Sequence, residues 1–422
     1  MKILVIGGGG REHAVAKSLM KNVAVEKIWV APGNGGTAAF CENVDIAATD
    51  LKGILNFCLE HNPDFVVVTP DDPLALGMAD LLEENGFPCF GPTRAAAQLE
   101  WSKSFAKQFM EKYNIPTAKC VLCKDAKEAK AYAKECPIPI VLKADGLAQG
   151  KGVVIAMTRE EAVAAQAQLS YGKNDQAILF EEMLVGPEVS VLCFTDGKTI
   201  VPMPAAQDHK RAYDGDKGPN TGGMGAYSPV SVYTKEMAER CMEEIYLPTI
   251  RGMEAEGTPF KGVLYFSLML TQDGPKVIEY NSRFGDPETQ VVLPLLNSDL
   301  FDIMVAVRNG KLDRARVKFS DACSACVVLA SGGYPSAYEK GKPITGLEEA
   351  ENYGTIYHAG TKRLDDGSYV TSGGRVLCVS STGRSLRQAL RKSYKGIEAI
   401  KFEGAFYRKD IGSKDASLSK ED

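Results

Sequence analysis

The chain has 422 residues, 45% of them hydrophobic and 24% charged, with a net charge of −5 at neutral pH. That length exceeds one ordinary hydrophobic core and points to about three domains, and the composition is that of a soluble globular protein without the basic excess of a general nucleic-acid binder. The apolar opening, residues 1–6, is too short for a signal peptide, and no later run approaches the ~18 apolar residues of a membrane span. The expectation is therefore a cytoplasmic protein with neither membrane nor nucleic acid as partner, and with its eleven cysteines as reduced thiols.

In the first hundred residues, short apolar runs at 3–6, 27–30 and 65–69 alternate with helical patterns at 12–20, 51–60 and 74–84. This alternation predicts a parallel α/β sheet whose ligand loops collect at the strand carboxyl ends. Three loops qualify: Gly7-Gly8-Gly9-Gly10-Arg11-Glu12-His13, Pro32-Gly33-Asn34-Gly35-Gly36 and Thr69-Pro70-Asp71-Asp72-Pro73. The first is not a dinucleotide fingerprint, because Glu12 stands at the third glycine position and the second strand ends without an acid for a ribose. Bare glycines opening a helix still make an anion site, and Arg11 adds a fixed charge, so this loop reads as a phosphate site.

A helical stretch at 95–110 leads into a small α+β module, with strands at 118–121, 140–143, 152–155 and 176–181 and a helix at 159–169. Inside it lies the glycine-rich loop 144–152. Its glycine spacing and the Gly152 that follows Lys151 rule out a Walker A motif, which leaves a mobile flap of backbone N–H groups carrying Lys151. A strand at 188–194, a helix at 237–250 and a strand at 262–270 follow. Between the first two, residues 207–225 have the polar, glycine-rich composition of a long functional loop. The last segment holds strands at 325–330, 355–358 and 376–380, a helix near 385–397 and glycine corners at 331–333 and 372–375. Residues 413–422 read as a disordered polar tail. The pairs Cys120/Cys123 and Cys323/Cys326 sit in β-like sequence, where positions i and i+3 face opposite ways, so they read as structural thiols rather than zinc ligands.

The most informative run is Lys276-Val277-Ile278-Glu279-Tyr280-Asn281-Ser282-Arg283-Phe284-Gly285-Asp286-Pro287-Glu288. On a strand, Glu279 and Asn281 share a face, and their oxygens suit Mg²⁺. Lys103 on a helix, Lys143 at a strand end and the flap around Lys151 supply positive charge and N–H donors for phosphates. Glu181, Glu182 and Leu184 offer an adenine ring backbone edges beside an apolar residue, and Glu188 offers a carboxylate for ribose hydroxyls. Together these pieces form one ATP site, in which a metal between the phosphates neutralises charge as the terminal phosphoryl group transfers.

The motifs at 7–14, 32–36, 143–148, 207–211, 220–229 and 283–290 occur in an order that resembles the glycinamide ribonucleotide synthetase family of the ATP-grasp superfamily, over about residues 1–412. The resemblance implies an α/β chain with an ATP-grasp fold: an N-terminal parallel α/β domain (1–100), an ATP-grasp domain (101–325) containing a small flap subdomain (118–190), and a β-rich C-terminal domain (326–412). It implies ligation of glycine to 5-phosphoribosylamine through glycyl phosphate, in purine biosynthesis, with ATP and Mg²⁺ or Mn²⁺ as cofactors. By the same resemblance, Gly9, Gly10, Arg11, Glu12, Gly33 and Asn34 would bind the phosphoribosyl group. Asp214, Asn220, Gly222, Gly223 and Arg283 would surround glycine and the acyl phosphate. Asp214 has loop capping as its competing role, and Lys210 is either catalytic or merely solvated. Asp71 stands where the family usually has Glu near the ribose, while Gln149 and Pro187 replace a usual Ala and Glu without expected loss of ATP binding. Family members are often fused to later pathway domains, whereas this chain is expected to act alone, with the enzyme that makes the labile amine as a transient partner. A related ligase that activates bicarbonate or another amino acid is the rival reading.

Overall fold

The computed structural model describes residues 1–147, 152–172 and 177–418. Its first unit comprises β1 (Lys2–Gly7), α1 (Gly10–Leu19), β2 (Lys27–Pro32), β3 (Glu42–Asn43), α2 (Leu51–His61), β4 (Phe65–Val68), α3 (Asp71–Leu76), α4 (Met78–Glu84) and β5 (Cys89–Phe90). The strands form a parallel sheet in the order β3-β2-β1-β4-β5. Alternate residues of β1 feed two cores: Ile3 and Val5 pack with Ala14, Val15 and Leu19 of α1, whereas Leu4 and Ile6 pack with Ile54 and Phe57 of α2. Burial on both faces is why β1 is apolar without alternation. The helix predicted over 74–84 is in fact two, because Gly77 takes a φ of 90° between them.

Next come α5 (Gln98–Trp101), α6 (Lys103–Lys112), β6 (Cys120–Cys123), α7 (Ala126–Tyr132), β7 (Ile140–Ala144), β8 (Val153–Ala156), α8 (Arg159–Leu169) and β9 (Ile178–Glu182). The helix predicted over 95–110 breaks at Ser102, whose hydroxyl accepts the Phe105 N–H and starts α6 afresh. The strands form an antiparallel sheet, β6-β9-β7-β8, covered by α7 and α8 through Ala129, Ala162 and Ala165.

The chain then runs through β10 (Glu188–Asp196), β11 (Ile200–Pro202), β12 (Gln207–Asp208), β13 (Arg211–Tyr213), β14 (Lys217–Asn220), β15 (Gly225–Ser228), α9 (Lys235–Cys241), α10 (Leu247–Ala255), β16 (Lys261–Thr271), β17 (Gly274–Asn281), α11 (Thr289–Val292) and α12 (Leu300–Arg308). Strands β11-β10-β16-β17 make an antiparallel sheet. The long loop expected at 207–225 is largely strand instead. Its glycines at positive φ, Gly215 and Gly218, let β13 and β14 fold into a two-stranded ribbon, so the backbone polar groups pair with one another.

The final unit contains β18 (Cys323–Ala330), β19 (Pro343–Ile344), α13 (Leu347–Glu351), β20 (Thr355–His358), β21 (Thr361–Arg363), β22 (Tyr369–Thr371), β23 (Arg375–Gly383) and α14 (Leu386–Ala399). Its main sheet, β12-β15-β18-β23-β20, borrows β12 and β15 from the preceding segment. Residues 413–418 are not the disordered tail expected: Asp415 is buried and accepts the Ser231 N–H at 2.9 Å, which fixes the turn that follows. Among the described residues, no helix is long and apolar enough to cross a membrane.

The first and last units meet at two buried histidines. His13 of α1 stacks on His358 of β20 with ring centroids 5.7 Å apart, and its Nδ1 accepts the His358 backbone N–H at 3.0 Å. Burial holds both imidazoles below their ordinary pKa, with His358 and Lys17 adding to the effect on His13, and Lys17 adding to that on His358, which falls to about 4. Neutral in the fold and protonated more readily when unfolded, His358 contributes stability that is present above about pH 6.5 and lost as pH falls towards 4. From this one group, unfolding free energy should drop by about 2 kcal/mol between pH 7.5 and 5. Urea titrations of wild type and His358→Gln test this, and an identical pH slope in the two would refute it.

Candidate active site

The end of β17 lies in the cleft between the small sheet, the larger antiparallel sheet and the first unit. In its pairing with β16, Glu279 faces Ser267 and Asn281 faces Tyr265, while Ile278 is left over at a register shift. The freed Ile278 carbonyl accepts Lys143 Nζ at 3.0 Å, so the irregularity in the strand brings a lysine beside Glu279. Burial works to raise the Glu279 pKa, but Lys210, Lys143, Lys103 and Arg283 outweigh it and hold the carboxyl below its ordinary value. An ionised carboxylate and an amide oxygen on one strand face fit a hard divalent cation. Among the described residues, no group of three or more His, Cys, Asp or Glu side chains could hold a metal, so a cation here would draw further ligands from nucleotide phosphates, as Mg²⁺ usually does.

The lysines are held in place by carboxylates. Lys143 and Lys107 both reach Glu181 Oε2, at 2.9 and 3.3 Å, and Lys103 Nζ donates to the Gly146 carbonyl at 2.7 Å. Lys151 lies outside the described residues. Glu182, next along β9, points to the other side, where it accepts the Lys119 N–H at 3.0 Å and pairs with Lys276 at 3.4 Å. An adenine could therefore meet the backbone of 181–184 and the half-buried Leu184, but not the carboxylate of Glu182. Glu188 forms an ion pair with Lys210 and accepts the Ser267 hydroxyl at 3.1 Å. Burial opposes the charge on Lys210, yet Glu188 and Asp208 hold its pKa well above the ordinary value. Lys210 is thus an ion-paired cation within Coulombic reach of Glu279, with 35% of its side chain still exposed.

The first unit corrects several expectations. Glu12 does not face a ligand: its Oε1 accepts Arg11 Nε at 2.5 Å and the Thr69 hydroxyl at 2.6 Å, and its Oε2 accepts the Gly9 N–H at 2.6 Å. The Arg11 N–H meets Asp286 Oδ2 at 3.4 Å, and its guanidinium donates to the Phe284 carbonyl at 3.1 Å. The anion site expected at the start of α1 is therefore largely filled by the protein's own carboxylates. Gly10 is a packing position, since a Cβ there would lie 2.6 Å from Gln290 Nε2. Asn34 is a staple, because its amide donates to the Gly8 and His358 carbonyls while its oxygen accepts the N–H groups of Gly36 and Thr37. Gly33 supplies the φ of 70° that this turn needs. Asp71, at the start of α3, does face the cleft: burial raises its pKa, but Arg283 and Arg11 bring it below the ordinary value.

Beyond Asn220 at the end of β14, the loop is gripped from two sides. The Gly222 N–H donates to Tyr334 Oη at 3.1 Å, and its carbonyl accepts Arg375 Nη1 at 2.8 Å. A Cβ on Gly222 would lie 2.9 Å from the Arg375 guanidinium carbon, and Gly223 has a φ of 116°. Thr221 N–H bonds to the Lys210 carbonyl at 2.7 Å, tying the loop to that lysine. Asp214 is not in the cleft: exposed at the ribbon turn, it accepts the Lys409 N–H at 2.8 Å, which is the capping role. Asp286 and Glu288 brace the turn after β17. Asp286 accepts Gln290 Nε2 at 2.7 Å and lies 3.4 Å from Arg375, while Glu288 accepts Tyr265 Oη at 2.9 Å.

Three participants were not foreseen from sequence. Glu100 pairs with Arg283 Nη2 at 2.9 Å, Lys107 shares Glu181, and Arg375 reaches in from the last unit. Lys107 stands four residues after Lys103 on α6, a spacing that could have flagged it. Glu100 and Arg375 carry no such local mark.

A cleft of this kind, with lysines and an acid–amide pair set between two antiparallel sheets, defines an ATP-grasp protein. The same fold is found in the biotin carboxylase domain of a Hydrogenobacter thermophilus 2-oxoglutarate carboxylase, with a TM-score of 0.72 at 16% identity over 96% of this chain and 91% of that one. The chain belongs to the phosphoribosylglycinamide synthetase family, whose N domain matches residues 1–100, ATP-grasp (A) domain 101–289 and C domain 324–414. It is 48% identical to a phosphoribosylamine–glycine ligase of Vibrio vulnificus over 98% of both chains. It is also 49% identical to the trifunctional purine biosynthetic protein adenosine-3 of Gallus gallus, over 97% of this chain and 42% of that protein. The solved phosphoribosylamine–glycine ligase of Thermotoga maritima superposes with a TM-score of 0.85 at 36% identity, covering 97% of this chain and all of that one.

Glu181→Gln would leave Lys107 and Lys143 buried without a countercharge. Breaking such a cluster from one side should cost about 3 kcal/mol of unfolding free energy, read by urea titration. A loss below about 1 kcal/mol, the level of an exposed pair, would show that the cluster is not stabilising.

Proposed function

We propose that this protein uses ATP to ligate glycine to 5-phosphoribosylamine, forming glycinamide ribonucleotide, ADP and phosphate in purine biosynthesis. The observation that carries the reading is the juxtaposition at the end of β17. Glu279 and Asn281 present oxygens for a metal and its phosphates, and two residues later Arg283 presents a guanidinium for a carboxylate. A metal–phosphate face and a carboxylate site are thereby held within one short stretch of backbone. In this reading the ATP-grasp part spans 101–325, between an N-terminal domain at 1–100 and a C-terminal domain at 326–412.

A carboxylate is a poor electrophile, so a leaving group must first be installed. One glycine carboxylate oxygen attacks the γ-phosphorus, the bond to the β-phosphate oxygen breaks, and ADP departs. The ribosylamine nitrogen then attacks the acyl carbon of glycyl phosphate, loses a proton, and inorganic phosphate leaves. Mg²⁺ or Mn²⁺, held by Glu279 and Asn281, would supply charge neutralisation to the phosphates. Lys143, Lys103 and Lys151 balance the remaining phosphate charge, Glu188 takes the nucleotide ribose, and Lys210 is released from it to face the transferring group. Arg283 orients glycine through its carboxylate, and the Gly222–Gly223 backbone borders the acyl phosphate. Asp71, flanked by Arg283 and Arg11, takes hydroxyls of the ribosylamine. The rate gain comes from placement and charge, so no nucleophilic side chain is needed.

Glu279→Ala should lower glycine- and ribosylamine-dependent ADP release by at least about 100-fold while the urea midpoint stays near wild type. Turnover retained at ordinary Mg²⁺ would sink the metal assignment. Asp71→Ala should raise the KM for ribosylamine by roughly tenfold, the equivalent of one charged hydrogen bond, with little change in the KM for ATP. Equal changes in both constants would remove Asp71 from the ribose.

A further inference from the structure

We propose that Glu100 is the positioning residue that aims Arg283 at the glycine carboxylate. This rests on the ligase reading above and adds to it a residue outside the β17 motif. Glu100 lies within α5 and is buried at the junction of the first unit with the ATP-grasp sheets. One oxygen, Oε2, accepts the Ser282 N–H at 2.7 Å; the other, Oε1, pairs with Arg283 Nη2 at 2.9 Å. The Ser282 hydroxyl donates to the Ala97 carbonyl at 3.2 Å, so α5 holds the exit of β17 by two bonds on one side and the guanidinium on the other.

The rest of the guanidinium defines what this grip leaves available. Nη2 also donates to Asn281 Oδ1 at 3.2 Å, and Nη1 donates weakly to the Phe284 carbonyl at 3.3 Å. Among the described residues, the buried Nε has no hydrogen-bond partner. A buried donor without an acceptor is costly, and a carboxylate oxygen of the substrate would satisfy it. Glu100 and Asn281 occupy Nη2, which leaves Nε and one N–H of Nη1 for the substrate. Asp71, Glu288 and Tyr265 also draw on the Arg283 charge. Without Glu100, the guanidinium would be free to turn onto Asp71, which would remove the glycine site and the ribose carboxylate together.

Glu100→Gln tests this, because the amide oxygen can still accept the Ser282 N–H while the carboxylate that pairs with Arg283 is lost. The expected result is a tenfold or greater rise in the KM for glycine, a KM for ATP within about twofold of wild type, and an unchanged thermal midpoint. Glu100→Asp keeps the charge and should recover part of the glycine KM. A fall in kcat alone, with both KM values unchanged, would mean that Glu100 only supports the fold and would overturn the proposal, as would wild-type kinetics. The rate of phenylglyoxal modification at Arg283, mapped by mass spectrometry on the unliganded protein, needs no substrate. It should rise at least threefold in Glu100→Gln, and an unchanged rate overturns the positioning role. If the wild-type protein fails to turn over glycine while this rate still rises, the ligase reading fails and the Glu100–Arg283 coupling stands.

Discussion

The carboxylate of Asp286 is the point at which the three parts of the chain are joined. It receives the Arg11 N–H from the first glycine loop, Gln290 from its own turn and Arg375 from the last sheet. Burial acts to raise its pKa, but Arg375 and Arg11 hold it below the ordinary value, so it stays ionised while largely enclosed. A buried charge is tolerated only when several donors converge on it. Each donor here comes from a different element, so the geometry of the cleft is conditional on all three being docked. The position of Arg283, three residues earlier, follows from the same anchor.

Around that anchor, the protein's own carboxylates are set against cations of the cleft. Lys143 and Lys107 share Glu181, Lys210 pairs with Glu188, and Arg283 pairs with Glu100, whose pKa burial pushes up to about 7 against the pull of Arg283. Paired this way, the cations avoid the mutual repulsion that four or five lysines and arginines would otherwise suffer at close range. A triphosphate entering the cleft competes with these carboxylates for the same cations. The pairs in contact with solvent, such as Lys210–Glu188, are those that exchange at low cost. The enclosed Lys143–Glu181 pair acts as a fixed wall.

Much of this was legible in the sequence, because the chemistry there is local. The i, i+2 placement of Glu279 and Asn281, the alternation of the first hundred residues and the order of the glycine motifs all depend on spacing along the chain. What escaped depends on contacts between distant residues. Glu12 looks like a ligand group until Thr69 and Gly9 are seen to occupy both its oxygens. Asn34 and Asp214 likewise spend their polar atoms on His358 and Lys409, more than a hundred residues away in sequence. The glycine-rich stretch 207–225 has the composition of a loop, yet β13 and β14 pair with each other, and β15 at its end is completed by residues 324–327, a partner that no local pattern announces.

The placement of β12 and β15 in the last sheet bears on how such a chain can be divided. Gly225 to Ser228 pair residue for residue with Val327 to Ser324, so the sheet crosses the boundary that a linear domain map would draw near 325. A cut there would strip β18 of one neighbour and expose a flat, apolar edge. It would also take Tyr334 and Arg375 away from the loop they grip. The second and third parts are therefore interlocked through one sheet, and neither holds a complete set of strand neighbours without the other.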